Sequence, residues 1–338
     1  MSDFLKRTRE IRDAEELTRL APPATRSAQS QGRAVPEEPD PFRTAFERDR
    51  DRILHSKAFR RLKHKTQVFI NPEGDHFVTR LTHTVQVTQI GRSMAVALGL
   101  NEALTEAICL GHDVGHSPFG HIGEEALSPY VEGWLHAPQS VRVLSVLEPL
   151  NLTAEVLDGI GAHSWRIHPP PATPEGMLCR FADRIAYLTH DVADAIRAGV
   201  ISPTDVPAPA WRVFGDTSSD WIGTMVQSVI SETHEVGSVA MSAVHLSVMN
   251  ELREFMFERV YLRPETEGQR RDAVTIIREL TDHFAEHTEQ IPDSFRHDRA
   301  PAVRQAVDYV AGMTDRFALR THDELFGETP HGRSLVDP

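Results

Sequence analysis

Residues 104–127 read LTEAICLGHDVGHSPFGHIGEEAL. Leu104, Ile108 and His112 recur every four positions, so the apolar stretch is a helix that carries its last histidine inward. Gly115 and Ser117-Pro118 then end it. His112 is followed at once by Asp113, at a helix C-terminus where the aligned peptide dipoles disfavour negative charge. A cation beside the pair resolves that conflict. Imidazole nitrogens with a carboxylate oxygen suit Mn, Fe, Co or Mg better than a closed structural zinc site. A His-Asp pair alone is a weak signal, but His112, His116 and His121 together in an otherwise apolar Gly/Pro turn are a stronger one.

The segments on either side supply matching faces. Over 81–98, His83, Val87, Ile90, Met94 and Ala97 fall in one stripe, which points His83 at the core as a satisfied histidine or as a ligand. Over 175–198, Leu178, Phe181, Ile185, Leu188, Val192 and Ala195 form an apolar stripe. Asp183, Tyr187 and Asp191 lie roughly opposite it at i, i+4 spacing, with Arg184 on the flank, so this polar face looks either at water or into a cleft.

Helical periodicity also covers 102–113, 139–161, 219–261, 268–287 and 300–322. The one strand signal is a short hairpin over Gln67–Val78, around Asn71-Pro72-Glu73-Gly74-Asp75. Without strands alternating with helices there is no parallel sheet, which disfavours Rossmann and P-loop architectures. The expected fold is therefore all-α.

The chain has 338 residues, 40% of them apolar and 25% charged, enough for a full core without disulfides, so Cys109 and Cys179 read as reduced thiols. No apolar run reaches the roughly 18 residues of a membrane helix. The N-terminus lacks a signal-peptide pattern, so a cytoplasmic location is expected. A net charge of −13 disfavours nucleic acid and anionic lipid as partners. Arg48 to Lys65 is nonetheless a basic island, with Arg48, Arg50, Arg52, Lys57, Arg60, Arg61, Lys63 and Lys65 against Asp49 and Asp51. It is either a face of paired charges or an attractor for a polyanion. Residues 21–41, rich in Pro, Ser and Gln, read as an extended or partly ordered arm.

The order His83, His112-Asp113, Asp183 resembles the metal signature of the HD-domain phosphohydrolases. DRDRILHSKAFRRLKHKTQVF (49–69), TRLTHTVQV (79–87), residues 111–127, QSVRVLSVLEPLNLTAEVLDGI (139–160), ADRIAYLTHDVADAI (182–196) and DYVAGMTDRFA (308–318) are similar, in family order, to bacterial dGTP triphosphohydrolases. The resemblance implies a helical HD core over 45–200, an N-terminal helix and arm over 1–44, and a C-terminal helical region over 201–338 packed on the core. It implies a divalent metal (Mn2+, Mg2+, Fe2+ or Co2+) on His83, His112, Asp113 and Asp183. His121 matches the catalytic histidine, Glu124 its acidic partner, and His116 and His136 further histidines near the α-phosphate. Arg80 and Arg184 match positions that hold a triphosphate. Tyr187 and Asp191 match a pair gripping the deoxyribose, and Gln67 and Val68 match positions closing over sugar and base. Ala137 departs from the Asn of many members. The implied activity is hydrolysis of a deoxynucleoside triphosphate to deoxynucleoside and triphosphate, in a homo-oligomer. Another HD phosphohydrolase activity and a silent nucleotide sensor are the alternatives.

Overall fold

The structure, a computed structural model, describes residues 5–67, 78–261, 267–297 and 299–327. Their α-helices are α1 (Arg9–Arg19), α2 (Ala45–His55), α3 (Lys57–Arg61), α4 (Arg80–Leu98), α5 (Glu102–Gly111), α6 (His121–Leu127), α7 (His136–Arg142) and α8 (Ala154–Ala162). They continue with α9 (Pro174–Arg197), α10 (Ala208–Phe214), α11 (Ser218–Val236), α12 (Ala243–Met256), α13 (Glu267–Glu286), α14 (Ala302–Ala311) and α15 (Asp315–Phe326). The all-α expectation holds. The hairpin is not borne out: residues 68–77 lie outside the described residues, and the flanks meet only as an isolated antiparallel bridge between Thr66 and Thr79. Thr79 is already committed to capping α4, where its backbone N–H donates to Thr82 Oγ1 at 2.9 Å, so no ladder extends in that direction.

Three expected long helices are each broken. The 139–161 stretch divides into α7, a π-turn over Val143–Leu147, and α8. Pro149 cannot donate to a continuing helix and Asn151 adopts a left-handed φ of 52°. The 219–261 stretch breaks at Gly237, where φ is 74°. The 300–322 stretch breaks before Thr314, whose hydroxyl accepts from Phe317 N–H at 3.3 Å to start α15.

The helices pack into two apolar clusters. In the larger, α5 packs on α2, α4, α8 and α9, and α11 covers α4 and α9. The apolar stripe of α9 is buried throughout, and each fully buried Leu, Ile or Phe contributes about 1.5–3 kcal/mol. The smaller cluster joins Phe119, Ala126, Leu127 and Trp134 to the apolar faces of α13, α14 and α15. The histidine-rich turn between α5 and α6 therefore runs from one cluster into the other.

The arm is extended and pinned by buried carboxylates. Thr25 donates from N–H and Oγ1 to Glu175 at 3.0 and 2.8 Å, Ser27 from N–H and Oγ to Glu16 at 2.6 and 2.8 Å, and Ser30 Oγ to Glu155 at 2.7 Å. Much of the basic island is neutralised locally. Arg48 and Arg52 pair with Glu37 at 3.4 and 2.8 Å, and Arg50 pairs with Glu106 at 3.0 Å. Those three arginines thus form a face of paired charges.

Candidate active site

Six helix ends and faces converge around the His112-Asp113 turn. α4 brings Arg80 and His83, the end of α5 brings His112 and Asp113, and α9 brings Asp183, Arg184, Tyr187 and Asp191. The start of α6 brings His121 and Glu124, the start of α7 His136, and the residue after α8 is His163. The turn reaches its place because of its glycines. A Cβ at Gly115 would lie 2.2 Å from Ser140 N, so only glycine allows the turn to lie on the α7 backbone. There Gly115 N–H donates to Ser140 Oγ at 2.9 Å, and Ser140 Oγ donates to His112 O at 2.8 Å.

His83, His112 and Asp113 are buried and could hold a metal ion. His83 Nε2 lies 3.1 Å from Asp183 Oδ1. His112 Nδ1–H donates to Cys109 O at 2.7 Å, which leaves Nε2 as the free lone pair. That Nε2 is buried and has no hydrogen-bond partner among the described residues, yet it stands 3.6 Å from Asp113 Oδ1 and 3.7 Å from Asp183 Oδ1. A carbonyl that fixes the tautomer, with the other nitrogen aimed at two carboxylates, is how histidine is oriented toward a metal. The donor set fits a divalent cation.

Electrostatics around these groups favour the ionised carboxylates. Asp183 sits at about 2: burial opposes ionisation, but the His83 hydrogen bond and the charges of His112 and His83 outweigh it. Asp113 is also held well below its ordinary value, with burial outweighed by His112, His116 and Arg80, whose Nη1 donates to Asp113 Oδ2 at 2.8 Å.

The second set of residues surrounds Glu124. This buried acid accepts from His121 Nδ1 at 3.1 Å and from His136 Nδ1 at 2.5 Å, and lies well below the usual carboxylate range because His136 and His121 outweigh the burial cost. His121 is 68% exposed, unlike the buried histidines around it. His116 is buried, stacks on His136 with ring centroids 3.9 Å apart, and reaches Asp113 Oδ1 at 3.3 Å.

The α9 polar face turns inward and is largely shielded from water. Burial raises Tyr187 to about 12 and Asp191 to about 7, the latter despite accepting from Tyr261 Oη at 2.6 Å. Arg184 lies 3.8 Å from the Trp165 ring centroid and donates to Asn250 Oδ1 at 2.9 Å. Gln67 stands at the edge of the described residues with its Oε1 buried and unpartnered among them; Val68 lies outside them. Sequence reasoning missed Ser140, His163, Trp165, Tyr261 and Asp315, and placed Lys65 only within the basic island. The described structure brings the remaining expected residues to one region.

The chain is 46% identical over 331 residues to a deoxyguanosinetriphosphate triphosphohydrolase-like protein of Caldanaerobacter subterraneus subsp. tengcongensis, covering 96% of this chain and 97% of that one. It belongs to the deoxyguanosinetriphosphate triphosphohydrolase-like family. A like-named protein of Desulfatibacillum aliphaticivorans is 45% identical, covering 95% of this chain and 99% of its own. A family model for the HD domain matches residues 80–188, and one for a phosphohydrolase-associated domain matches residues 239–324. A crystal structure of a hypothetical protein from Aquifex aeolicus shares the fold at TM-score 0.54 and 19% identity, over 86% of this chain and 71% of that one. The HD match takes in His83, His112, Asp113 and Asp183 together. No helix among its described residues is long and apolar enough to cross a membrane.

Proposed function

We propose that this protein hydrolyses deoxynucleoside triphosphates to a deoxynucleoside and inorganic triphosphate. The observation that carries the reading is the unpartnered, buried Nε2 of His112 between Asp113 and Asp183, beside the inward Tyr187–Asp191 face. His83, His112, Asp113 and Asp183 would hold a divalent ion. When bound, such an ion supplies charge against phosphate oxygens and makes a bound water more acidic.

The remaining work falls to the chain's own side chains. Water adds to the α-phosphorus, the bond from phosphorus to O5′ breaks, and the proton lost by water equals the one gained by O5′. His121, its Nδ1 anchored on Glu124, holds or releases a proton at Nε2. Arg80 and Arg184 are the buried cations on hand to meet the triphosphate. The Tyr187 ring stands against a 2′-hydroxyl, and Asp191 accepts from the 3′-hydroxyl in place of Tyr261. The names of the relatives support a purine deoxynucleotide substrate.

The test is incubation with each of the four deoxynucleoside triphosphates and Mn2+ or Mg2+, with chromatographic resolution of products. Deoxynucleoside with intact triphosphate is the expected result. Release of phosphate or pyrophosphate instead, or no turnover of any of the four, overturns the reading.

A further inference from the structure

Helix α7 has two sides. His136 and Ser140 bond to Glu124 and to the histidine-rich turn, whereas Pro138, Gln139 and Arg142 border a cleft of about 860 Å3. Trp134 in the loop before α7, and Arg299 and Arg304 at the start of α14, complete its polar wall. No residue of the proposed reaction lines it. Arg142 Nε and Nη2 donate to the buried Asp308 at 2.8 and 2.5 Å, and Arg304 Nη2 reaches Asp308 at 3.0 Å and Gln139 Oε1 at 2.5 Å. One carboxylate does not use up two guanidiniums. Arg304 Nε is buried and has no acceptor among the described residues, and Arg299 is exposed with no ion pair among them. Trp134 is 4% exposed, yet its indole N–H also lacks a partner among them, which a buried indole ordinarily finds. Pro301 leaves the first turn of α14 without a side-chain cap at the same cleft. All these groups donate and none accepts, so the missing partner is an acceptor. Three guanidiniums against the exposed Glu132 on the wall and Asp308 behind it make that acceptor an anion, in a chain whose net charge is −13.

We propose that this cleft binds a small organic phosphate, its phosphoryl oxygens on Arg299, Arg304 and the Trp134 N–H and its body against Val131, Leu135 and Val146. A carboxylate presents two oxygens in one plane, whereas a phosphoryl group presents three, which suits donors that come from a loop and from a helix start. The uncapped first turn of α14 adds the positive end of a helix dipole. Bare phosphate fills little of the space, and clefts of this size hold ligands with a body. Val131, Leu135 and Val146 make the wall for that body apolar. The site stands apart from the reaction proposed above and does not depend on it.

The probe is benzylphosphonate, which carries the head and an apolar body but no ester to cleave. It is titrated calorimetrically into the full chain at about pH 8 without added metal. Saturable binding of one equivalent, with a dissociation constant below about 1 mM, is expected. Arg299→Gln, and Trp134→Phe, which removes the indole N–H and keeps an aromatic ring, should each weaken it by about tenfold or more. Inorganic phosphate should bind about tenfold more weakly for want of a body, and phenylacetate for want of the third oxygen. No binding, or binding equally strong in both variants, overturns the site. Phenylacetate as tight as the phosphonate overturns the choice of phosphate, and inorganic phosphate as tight overturns the apolar body. Should Trp134→Phe not fold by circular dichroism, wild-type crystals soaked with benzylphosphonate decide. Phosphonate density beside Arg299 and Arg304 supports the site, and density confined to the neighbourhood of His112 overturns it.

Discussion

Glu124 is shared between two histidines with different surroundings, one buried and one exposed. The exposed ring, His121, has its hydrogen bond to Glu124 and to none of His83, His112, Asp113 or Asp183, so its loss separates proton handling from metal binding. His121→Ala should keep its metal by elemental analysis while turnover falls by about 10² to 10⁴-fold. Tyr187→Ala opens the α9 face, and the rate ratio of ribonucleotide to deoxyribonucleotide should rise; an unchanged ratio removes the tyrosine as the gate. At this scale the site was legible where chemistry and helical spacing agree, as at His112-Asp113 and along Asp183, Tyr187 and Asp191. His163 was not, because nothing within a few residues of it distinguishes a histidine of the site from an ordinary core histidine. Its partners, His136 and Asp113, are distant in sequence. Ser140 was hidden for the same reason: its value to the turn exists only where Gly115 lets two backbones touch.

Among the elements, the arm shows how polar chain is held without apolar anchors. Glu175, at the start of α9, accepts from Thr25 N–H, Thr25 Oγ1 and Asn101 N–H at 3.0, 2.8 and 3.0 Å. Glu175→Ala strands these donors and should lower unfolding free energy by about 2 to 4 kcal/mol in urea titration. A change within about 0.5 kcal/mol would show that water replaces the carboxylate without cost. Periodicity located most helices, since apolar residues at 3 and 4 spacing must face a core. It overran at 139–161 and 219–261, where the period continues across Pro149 and Gly237 while the backbone cannot. Composition read the arm as extended or partly ordered, but not that Glu16, Glu155 and Glu175 would order it.

Across the whole molecule, the two apolar clusters are tied by polar contacts at the histidine-rich turn. Asp315, opening α15, accepts from Thr66 N–H at 2.9 Å, from Thr66 Oγ1, and from Phe119 N–H at 3.1 Å. Asp315→Ala should speed amide hydrogen exchange at Thr66 and Phe119 and reduce turnover, although the residue lies far along the chain from every proposed ligand. If exchange at those amides stays at the wild-type rate, the tie does not hold the turn. Metal removal should be felt globally too. An ion at a hundredfold its dissociation constant stabilises by about 2.7 kcal/mol, so chelation should lower the melting temperature and Mn2+ restore it. A melt indifferent to both treatments would count against a folded-state metal centre.

Lys65 bridges the same divide, its Nζ donating to His116 O on one side and to Ala311 O, at 2.9 Å, on the other. The chain has four lysines, and Lys6, Lys57 and Lys63 are exposed while Lys65 is buried. Of the lysine amines, an acylating reagent therefore meets three on the intact protein and the fourth only when the halves part. Peptide mapping of that one adduct over time turns a single amine into a clock for the opening.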